Sequence, residues 1–476
     1  MTSQRTSAEE NQAAKAKSKS KGKHSRRAKS GRWLWFAVGM GGIAMVSGMA
    51  GALLAVSWDS TPLQQAQLSP QEAAVFDGDR ISGDGLQFSQ LTRPVNILVM
   101  GMSVLPHDVQ NPPTESQNLG YHPQINSFDG LADVILLLKF DPDTKKIVML
   151  SIPRDTRTRI EGQGVRKINS ANVAGGPALT AKTVSNLLNG VGIDRYVRIN
   201  VLGVSKLIDA LGGVTVYVPK DMKYRDESQH LYINLKAGNQ HLNGEQALQL
   251  LRFRHDELGD IGRIQRQQMV LRALIDQTLN PGTLSRLPDI LNVVKENIDT
   301  NLTVEELVAL MGFGIRTNRS NMQMLMLPGT FSEQGQYDAS YWLPNKTAIA
   351  KLMAQHYGVE SEGLEPEVID PSRLRVAIQD STGGDRSELR PLIKILEQAG
   401  YRRIFISKPS GIPLDVTHIV AQQGDGESAE LIRSTLGFGE VRVESTGNIA
   451  SDISIQVGKD WLEQRKLFEN TFPPIN

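Results

Sequence analysis

The chain has 476 residues, enough for two or three domains, and 40% of them are hydrophobic, as in an ordinary globular protein. It contains no cysteine, which excludes disulfides, thiol nucleophiles and cysteine metal sites. The net charge of +1 is unevenly distributed, because residues 1–32 hold ten lysines and arginines against Glu9 and Glu10. A basic tail therefore precedes a mildly acidic body.

An uncharged stretch follows this tail at residues 33–58. Its length is sufficient to cross a bilayer core of about 30 Å as a helix, with tryptophans at both ends as at a membrane interface. It is longer than the apolar core of about 7–15 residues in a cleaved signal peptide, which favours an anchor. The positive-inside rule then predicts a single-pass type II plasma-membrane protein with an extracytoplasmic body. The tail has no interleaved aromatic residues, so the lipid bilayer is an expected partner and nucleic acid is not.

The first part of the body predicts alternating strands and helices. Residues 59–93 are rich in Gln, Ser, Gly and Asp and are predicted to be a stalk. A buried strand is expected at Val95–Gly101 and a long polar loop at 104–130. A β-hairpin around DPDTKK, residues 141–146, comes next. The alternation continues to Val218 and predicts an α/β layered domain around a central sheet.

The second part contains a further domain. A short helix is predicted over residues 241–251, with a capping box of Asn243 and Gln246, and a long helix from near Asp260 to before Pro281. Residues 283–358 are expected to add helices and one strand. The predicted organisation is a cytoplasmic tail (1–32), a transmembrane helix (33–58), a stalk (59–93), a first α/β domain (94–358), a linker (359–372), a second α/β domain (373–460) and a tail (461–476).

The stretch LLRFRHDELGDIGRIQRQQ, residues 250–268, concentrates side chains suited to phosphate: Arg252, Arg254, Arg263 and Gln267. If the preceding helix ends near Leu251, Arg252 and Arg254 lie on one side of an extended segment. Asp260 is placed to cap the next helix, where Arg263 and Gln267 share a face. Several guanidinium groups at one place repel each other unless an anion such as phosphate lies between them. Internal ion pairs, for example Arg263 with Asp260, are the alternative that spacing alone leaves open.

A second group of polar residues lies near the ends of predicted strands. Arg154 and Asp155 follow the strand IVMLS, and Lys167 comes shortly after them. Loops at strand ends are where α/β folds build their sites. Asp133 stands at the opening of the apolar run ILLLKF. One carboxylate near several arginines and a phosphate indicates a Mg²⁺ site, because this ion commonly uses one or two carboxylates plus phosphate oxygens.

Several blocks resemble the LytR–CpsA–Psr family. They are NILVMG, ADVILLLKFDPDTKKIVMLSIPRDT, KINSAN, GIDRYVRIN, LIDALGGVTVYVP and LNGEQALQLLRFRHDELGDIGRIQRQQ, in order over residues 94–280. Residues 373–460 are similar to a domain often appended to that family. The resemblance implies an α/β/α sandwich with a hydrophobic pocket for a polyprenyl chain. It also implies an extracytoplasmic phosphotransferase that moves a glycopolymer from a polyprenyl-pyrophosphate carrier onto peptidoglycan.

The resemblance further implies residue roles. Matches to pyrophosphate-binding positions are Arg154, Arg252, Arg254, Arg263 and Gln267. Asp133 matches a metal-coordinating aspartate, and Asp260 matches a further active-site acid. Ser103 stands where the family usually has a second metal-binding aspartate. Asp129 or another loop acid then substitutes, or water completes the metal shell, or catalysis is impaired.

Other roles stay open at this point. Asp260 or Asp155 is expected to accept the proton of the attacking hydroxyl, although Asp155 could instead only orient Arg154. Lys167 is expected to assist pyrophosphate binding. A non-catalytic envelope scaffold that binds polyprenyl phosphate, a polyprenyl pyrophosphatase and a transcriptional regulator are the alternative functions. The basic tail alone supports the regulator, whose globular body would lie on the wrong side of the membrane.

Overall fold

The computed structural model describes residues 63–83, 90–102, 128–227, 231–253, 259–278, 280–318, 321–359, 370–383, 389–409, 412–422, 424–448 and 450–471. All of them belong to one compact unit, Ser57–Asn476. The predicted cytoplasmic tail and membrane-spanning helix, and most of the predicted polar loop and linker, lie outside these ranges. Inside the ranges, no helix has both the length and the apolar character needed to cross a membrane.

Residues 63–359 form what we term the first module. The prediction of a separate stalk over 59–93 is wrong for its described part, because Phe76, Ile81 and Leu91 are buried in the cores of this module. Its strands are β1 (Val95–Met102), β2 (Ala132–Asp141), β3 (Lys146–Ser151), β4 (Arg157–Ile160), β5 (Gly164–Lys167), β6 (Arg195–Ile199), β7 (Val214–Val218), β8 (Met222–Asp226), β9 (Leu231–Leu235), β10 (Gly238–Leu242), β11 (Ile298–Thr300), β12 (Met322–Met326), β13 (Gly329–Phe331) and β14 (Trp342–Pro344). Its helices are α1 (Pro70–Ala73), α2 (Ala171–Leu187), α3 (Val201–Leu211), α4 (Gly244–Arg252), α5 (Gly259–Thr278), α6 (Leu287–Asn297), α7 (Val304–Arg316) and α8 (Lys346–Leu352).

Six of these strands form the central sheet, in the order β11-β6-β1-β2-β3-β12. The predicted hairpin is confirmed, because β2 and β3 pair antiparallel down to Asp141 opposite Lys146. The Asp141 carboxylate accepts hydrogen bonds from the backbone N–H groups of Asp143 (3.1 Å) and Thr144 (3.0 Å), which fixes the turn. The neighbouring pairs β1–β6 and β3–β12 are parallel.

Helices cover both faces of this sheet. Leu98 and Met100 of β1 pack in a core that includes residues of α2 and α8. Val95 and Ile97 point to the other face and pack in a core with residues of α7. An apolar strand buried on both faces is expected in such a layered fold. The first module is therefore a mixed α/β domain with helix, sheet and helix layers.

The helix ends of the first module follow the sequence signals. Gly212, with φ of 88°, terminates α3, and Asn243 and Gln246 form the predicted capping box at the start of α4.

The prediction of a single strand within residues 283–358 is wrong, because β11, β13 and β14 lie there in addition to β12. Those three strands have three residues each, too few to give a readable alternation.

Residues 370–471 form the second module. Its strands are β15 (Arg375–Asp380), β16 (Arg403–Ile406), β17 (His418–Ala421), β18 (Glu440–Val443) and β19 (Ile453–Val457), and its helices are α9 (Arg390–Gln398), α10 (Gly426–Leu436) and α11 (Asp460–Thr471). The sheet order is β16-β15-β19-β17-β18. Sequence patterns predicted β15, α9, β16, α10 and β18, but not β17 or the central strand β19. The prediction of a separate tail from residue 461 is wrong, because residues 461–471 belong to α11, whose Trp461 is buried and stacks on Phe438.

The two modules meet at the edges of their sheets. Met324 of β12 forms a single parallel bridge with Glu444, directly after β18. The Ser445 backbone N–H donates to the Met324 carbonyl at 2.9 Å. Arg272 of α5 forms an ion pair with Glu444, and the Gln265 side chain donates to the Gly447 carbonyl at 3.3 Å. The second module thus contacts the long helix α5 of the first.

Candidate functional site

A small cavity of about 20 Å³ collects residues from three distant parts of the first module. It is lined by five side chains that the sequence singled out: Asp133, Arg154, Asp155, Arg263 and Gln267. Asp133 comes from β2, Arg154 and Asp155 from the loop after β3, and the other two from α5. The cavity is thus built where a strand end, a strand-end loop and a helix face converge.

An irregularity in strand pairing places Asp133. Gly101 of β1 pairs with Val134 and Met102 pairs with Ala132, so Asp133 has no opposite residue. A β-bulge of this kind bends the strand and redirects a side chain. The bulge takes the Asp133 side chain out of the regular side-to-side alternation of the strand, and this side chain lines the cavity.

A tight turn after β3 places Arg154 and Asp155. Thr156 donates its backbone N–H to the Pro153 carbonyl at 3.0 Å, and its buried hydroxyl donates to the same oxygen at 2.6 Å. The Asn169 backbone N–H donates to the Arg154 carbonyl at 3.2 Å, which ties the turn to the segment before α2. Because its backbone is held at both ends, the turn presents both charged side chains to the cavity.

The charged groups of the cavity form a chain of contacts. Arg154 Nη1 donates to Asp133 Oδ1 at 2.8 Å, and Arg154 Nε lies 3.4 Å from Asp155 Oδ2. Lys167 Nζ donates to Asp155 Oδ1 at 2.7 Å. These pairs are partly buried, so salt screens them less than pairs at an open surface. Asp155 is therefore held by two cations, which is the orienting role that the sequence left open.

Helix α5 supplies Arg263 and Gln267 from one face, and this i,i+4 prediction is confirmed. Arg263 is only 8% exposed. Arg266 of the same helix, which no sequence pattern singled out, ties α5 to the end of α4. Its Nη2 donates to the Phe253 carbonyl at 2.5 Å, and its guanidinium lies 5.6 Å from the Phe253 ring centroid. A buried arginine that binds a backbone carbonyl leaves no recognisable spacing in the sequence.

The other predicted arginines are placed differently. Helix α4 continues through Arg252, so the prediction of an extended Arg252 is wrong, and this side chain is not among those that line the cavity. Phe253 is extended, as predicted, and its side chain is buried. Arg254, Ser103 and the side chain of Asp260 lie outside the described residues. Their predicted roles therefore stay predictions.

An aromatic wall closes one side of the cavity, and sequence reasoning missed it. Phe331 and Trp342 line the cavity and pack edge to face, with ring centroids 5.0 Å apart. The Trp342 indole N–H donates to the Leu327 carbonyl at 3.2 Å, and its backbone N–H donates to the Asp155 carbonyl at 3.0 Å. Strand β14 thus holds the aromatic wall against the charged turn.

Side chains from two of the quoted sequence blocks hydrogen-bond to the backbone just before β2. Asn172, from KINSAN, donates to the carbonyls of Phe128 (2.8 Å) and Gly130 (2.9 Å). Arg198, from RYVRIN, donates to the Phe128 carbonyl at 3.1 Å. These residues hold the backbone that leads to Asp133. Asp129, a proposed substitute metal ligand, is exposed and is not among the residues that line the cavity.

The donor set fits a Mg²⁺ ion only in part. Among the described residues, no group of three or more His, Asp or Glu side chains could hold a metal by itself. The cavity offers the Asp133 carboxylate as a hard oxygen donor, while both oxygens of Asp155 are engaged by Lys167 and Arg154. Mg²⁺ accepts such a sparse set when substrate phosphates and water supply the other ligands. The residues therefore fit an ion that binds together with a pyrophosphate.

Comparisons with known proteins place both modules among described families. A model described as "LytR_cpsA_psr family" matches residues 63–357, and one described as "LytR cell envelope-related transcriptional attenuator" matches residues 373–461. The polyisoprenyl-teichoic acid–peptidoglycan teichoic acid transferase TagV of Bacillus subtilis is 35% identical over 47% of this chain and 58% of its own length. The regulatory protein MsrR of Staphylococcus aureus is 36% identical over 41% of this chain and 59% of its own length.

A crystal structure of B. subtilis TagV aligns with 56% of this chain and 99% of that chain, at 29% identity and a TM-score of 0.46. The chain spans less than two thirds of the length of the two curated relatives.

Proposed function

The chain belongs to the LytR–CpsA–Psr family, and from this membership we propose that it transfers a glycopolymer from a polyprenyl-pyrophosphate carrier onto peptidoglycan. One observation carries the proposal: Arg263 converges in one cavity with Asp133, Arg154 and Asp155, although it lies more than a hundred residues further along the sequence. Convergent guanidinium groups suit a pyrophosphate. The B. subtilis relative named as a teichoic acid transferase supports the same class of reaction.

The proposed reaction is an in-line displacement at phosphorus. A peptidoglycan hydroxyl attacks the phosphorus that bears the glycan, and a new P–O bond forms as the bond to the bridging oxygen breaks. Polyprenyl phosphate leaves with the electron pair of that bond, and the glycan becomes linked to peptidoglycan by a phosphodiester. Catalysis of such a step rests on positioning and charge stabilisation. Arg154 and Arg263 stabilise charge on the pyrophosphate, and Gln267 orients its oxygens.

The acids take separate roles in this proposal. Both oxygens of Asp155 are engaged, one by Lys167 and one by Arg154, so Asp155 orients the arginine. We assign acceptance of the hydroxyl proton to Asp260, in the first turn of α5. Asp133 is the residue that would hold Mg²⁺, which supplies further charge neutralisation at the phosphates when bound.

Membrane attachment completes the proposal. Residues 33–58 would anchor the protein and keep the cavity outside the cytoplasm, near a carrier that is itself embedded in the bilayer. The apolar pocket for the polyprenyl chain is part of the same proposal. Both elements rest on sequence and family resemblance.

A reconstituted assay tests the proposal. The full-length protein in detergent is mixed with a polyprenyl-pyrophosphate glycan, purified peptidoglycan and Mg²⁺, and glycan bound covalently to peptidoglycan is measured. We expect wild-type protein to attach the glycan and Arg263→Ala to attach far less. Release of glycan phosphate without attachment would make the protein a pyrophosphatase. Tight donor binding with no product would make it a scaffold, the alternative that Ser103 favours.

A further inference from the structure

The β4–β5 hairpin beside the cavity carries a basic face. Arg157 of β4 lies directly opposite Lys167 of β5, so both side chains point to the same side. Arg159 shares this side because alternate residues of a strand face the same way. Like charges placed directly opposite each other destabilise a hairpin. The basic face therefore needs partners that offset its repulsion.

Two tyrosines of the segment between β13 and β14 supply part of that compensation. The Arg157 guanidinium lies 4.7 Å from the ring centroid of Tyr337 and 6.0 Å from that of Tyr341. Lys167 Nζ lies 5.5 Å from the Tyr341 centroid. The two rings stand edge to face, 5.4 Å apart. Arg157, Lys167, Tyr337 and Tyr341 form what we term the platform.

The platform continues directly from the cavity. Lys167 binds Asp155, which lines the cavity, and Tyr341 is followed in sequence by Trp342, part of its aromatic wall. An isolated β-bridge between Thr156 and Trp342 joins the two segments. A ligand that extends from the cavity past Lys167 would therefore meet the tyrosine rings next.

The exposure of the platform suits ligand binding. Tyr337, Tyr341 and Arg157 are each partly exposed, and Arg159, nearer the turn of the hairpin on the same face, is exposed. Aromatic rings offer an apolar surface for the C–H faces of sugar rings, and cations at the rim bind acidic groups. Asp338, within hydrogen-bonding reach of the Tyr341 hydroxyl at 3.4 Å, is a nearby acceptor for sugar hydroxyls.

We propose that the platform binds an acidic oligosaccharide, the part of the transferred glycan nearest the pyrophosphate. This inference rests on the proposed function for its biological meaning, but the binding itself does not require catalysis. The tyrosines stack on sugar rings, while Arg157 selects for carboxylate or phosphate substituents.

Binding of soluble oligosaccharides to the full-length protein in detergent tests the platform. The probes are an oligogalacturonate, which is acidic, and a maltooligosaccharide of equal length, which is neutral, with affinities measured by titration calorimetry. Wild-type protein should prefer the acidic probe. The double variant Tyr337→Ala/Tyr341→Ala should bind it about tenfold more weakly, from lost apolar contact. Arg157→Gln should weaken it about tenfold and erase the preference for acid.

Matched variants control for indirect effects. Tyr337→Phe/Tyr341→Phe keeps both rings and should bind like the wild type. Tyr217→Ala removes a partly exposed tyrosine from β7, and Arg316→Gln removes an exposed arginine from α7, so both should leave the affinity unchanged. Arg157→Gln keeps the test valid if the double alanine variant fails to fold.

Several results would overturn the proposal. They are equal or absent binding of the two probes by the wild type, unchanged affinity in Arg157→Gln, and tighter binding of a single-stranded oligothymidylate than of oligogalacturonate. The last outcome would assign the basic and aromatic surface to nucleic acid. Neither oligosaccharide contains lipid or pyrophosphate, so a protein without transferase activity could still bind them. A failed transfer assay with intact acidic-probe binding would reject the proposed function and retain the platform.

Discussion

Arg154 is the side chain on which the cavity depends, because it contacts a carboxylate on each side. It donates to Asp133 at 2.8 Å and lies 3.4 Å from Asp155. A pyrophosphate carries more negative charge than one carboxylate and would compete with Asp133 for the guanidinium. Asp133 would then be released toward a metal ion. In the proposed reaction, Arg154 would thus couple pyrophosphate binding to the release of Asp133 as a metal ligand.

Replacement of Arg154 tests this dependence. Arg154→Ala should lower turnover by about 10²–10³, the usual loss for one charge-stabilising contact. Arg154→Lys should fall between the alanine variant and the wild type, because it keeps the charge but loses the bidentate fork. Turnover is measured in the reconstituted transfer assay, with Arg316→Ala as a control for surface charge. Wild-type turnover in Arg154→Ala would make this residue a structural ion-pair partner.

A Mg²⁺ titration separates two roles for Asp133. If Asp133 binds the ion, Asp133→Asn should raise the Mg²⁺ concentration for half-maximal activity, because an amide is a weaker ligand than a carboxylate. If it only orients Arg154, the rate should fall at an unchanged Mg²⁺ requirement. Ser103→Asp should lower the requirement by restoring a carboxylate beside β1. A higher requirement in Ser103→Asp, with a large loss in Asp129→Ala, would assign the ion to the loop.

At the scale of elements, α3 packs closely on α4, the helix that leads into the arginine-containing stretch 250–268. A Cβ atom on Gly244, the first residue of α4, would lie 2.2 Å from the Ser205 carbonyl oxygen of α3. The Gly244 backbone N–H also donates to the Asp209 carboxylate at 2.8 Å. Backbone atoms cannot move aside as a flexible side chain can, so only glycine fits here.

Gly244→Ala should therefore destabilise the first module by about 1–3 kcal/mol, the usual cost of overpacking. The measurement is the urea midpoint of the full-length protein followed by circular dichroism. Gly192→Ala is the matched control, since a Cβ there meets no atom within 4 Å. Equal midpoints for the two variants would mean that α3 and α4 separate at little cost.

Sequence patterns predicted the elements that are long enough to show a periodic or capping pattern, and they missed the short elements that depend on distant pairing. β1, the β2–β3 hairpin, α3 and α5 are long enough to show apolar runs, caps or periodicity. The bulge that redirects Asp133 and the three-residue strand that carries Trp342 depend on pairing with distant residues. The convergence of Arg263 and Gln267 followed from helical spacing. The contact of Asp133 with Arg154 did not, because it arises from the register of the sheet and the turn after β3.

At the scale of the whole molecule, the second module is joined to the helix that carries part of the cavity. Glu444 is 3% exposed and pairs with Arg272 of α5, while Gln265 of the same helix binds the Gly447 carbonyl. A cleft of about 790 Å³ lies next to this junction, between α5, β12, α10 and β18. Movement of the second module would therefore act on α5, two turns beyond Arg263.

Loss of the buried carboxylate should loosen this junction. Glu444→Ala should lower the free energy of unfolding of the second module by about 1 kcal/mol or more, because a buried charge contact is lost. The loss is limited because Arg272 is 38% exposed and its guanidinium can be hydrated in the variant. Differential scanning calorimetry should show an earlier or separate transition. Glu430→Ala, which removes an exposed ion pair within α10, should leave the melting profile nearly unchanged. Identical profiles for both variants would mean that the pair does not stabilise the junction.

Acid should weaken the second module through His418. Burial, with a further contribution from Arg442 and a smaller one from Arg272, lowers the pKa of His418 to about 4, against the opposing effect of Glu444 and Glu440. An unfolded histidine has a pKa of about 6.5. Between pH 4 and pH 6.5 the unfolded chain therefore binds a proton at His418 that the native state does not bind. The free energy of unfolding accordingly falls as the pH drops from about 6.5 toward 4.

His418→Gln should reduce this acid-induced loss, measured as the difference in melting temperature between pH 7.5 and pH 5. His356, whose pKa burial also lowers, should maintain part of the trend in the variant. A pH dependence equal to that of the wild type would exclude His418 as a contributor.

The fate of the phosphorus next to the glycan tests the proposed reaction most directly. A donor labelled with ³²P at that phosphorus is incubated with the full-length protein, peptidoglycan and Mg²⁺, and the label is followed after digestion of the peptidoglycan. We predict that the label reaches peptidoglycan together with the glycan, that polyprenyl phosphate is released unlabelled, and that Arg154→Ala slows both. Glycan on peptidoglycan without the label would contradict displacement at phosphorus and would establish glycosyl transfer instead.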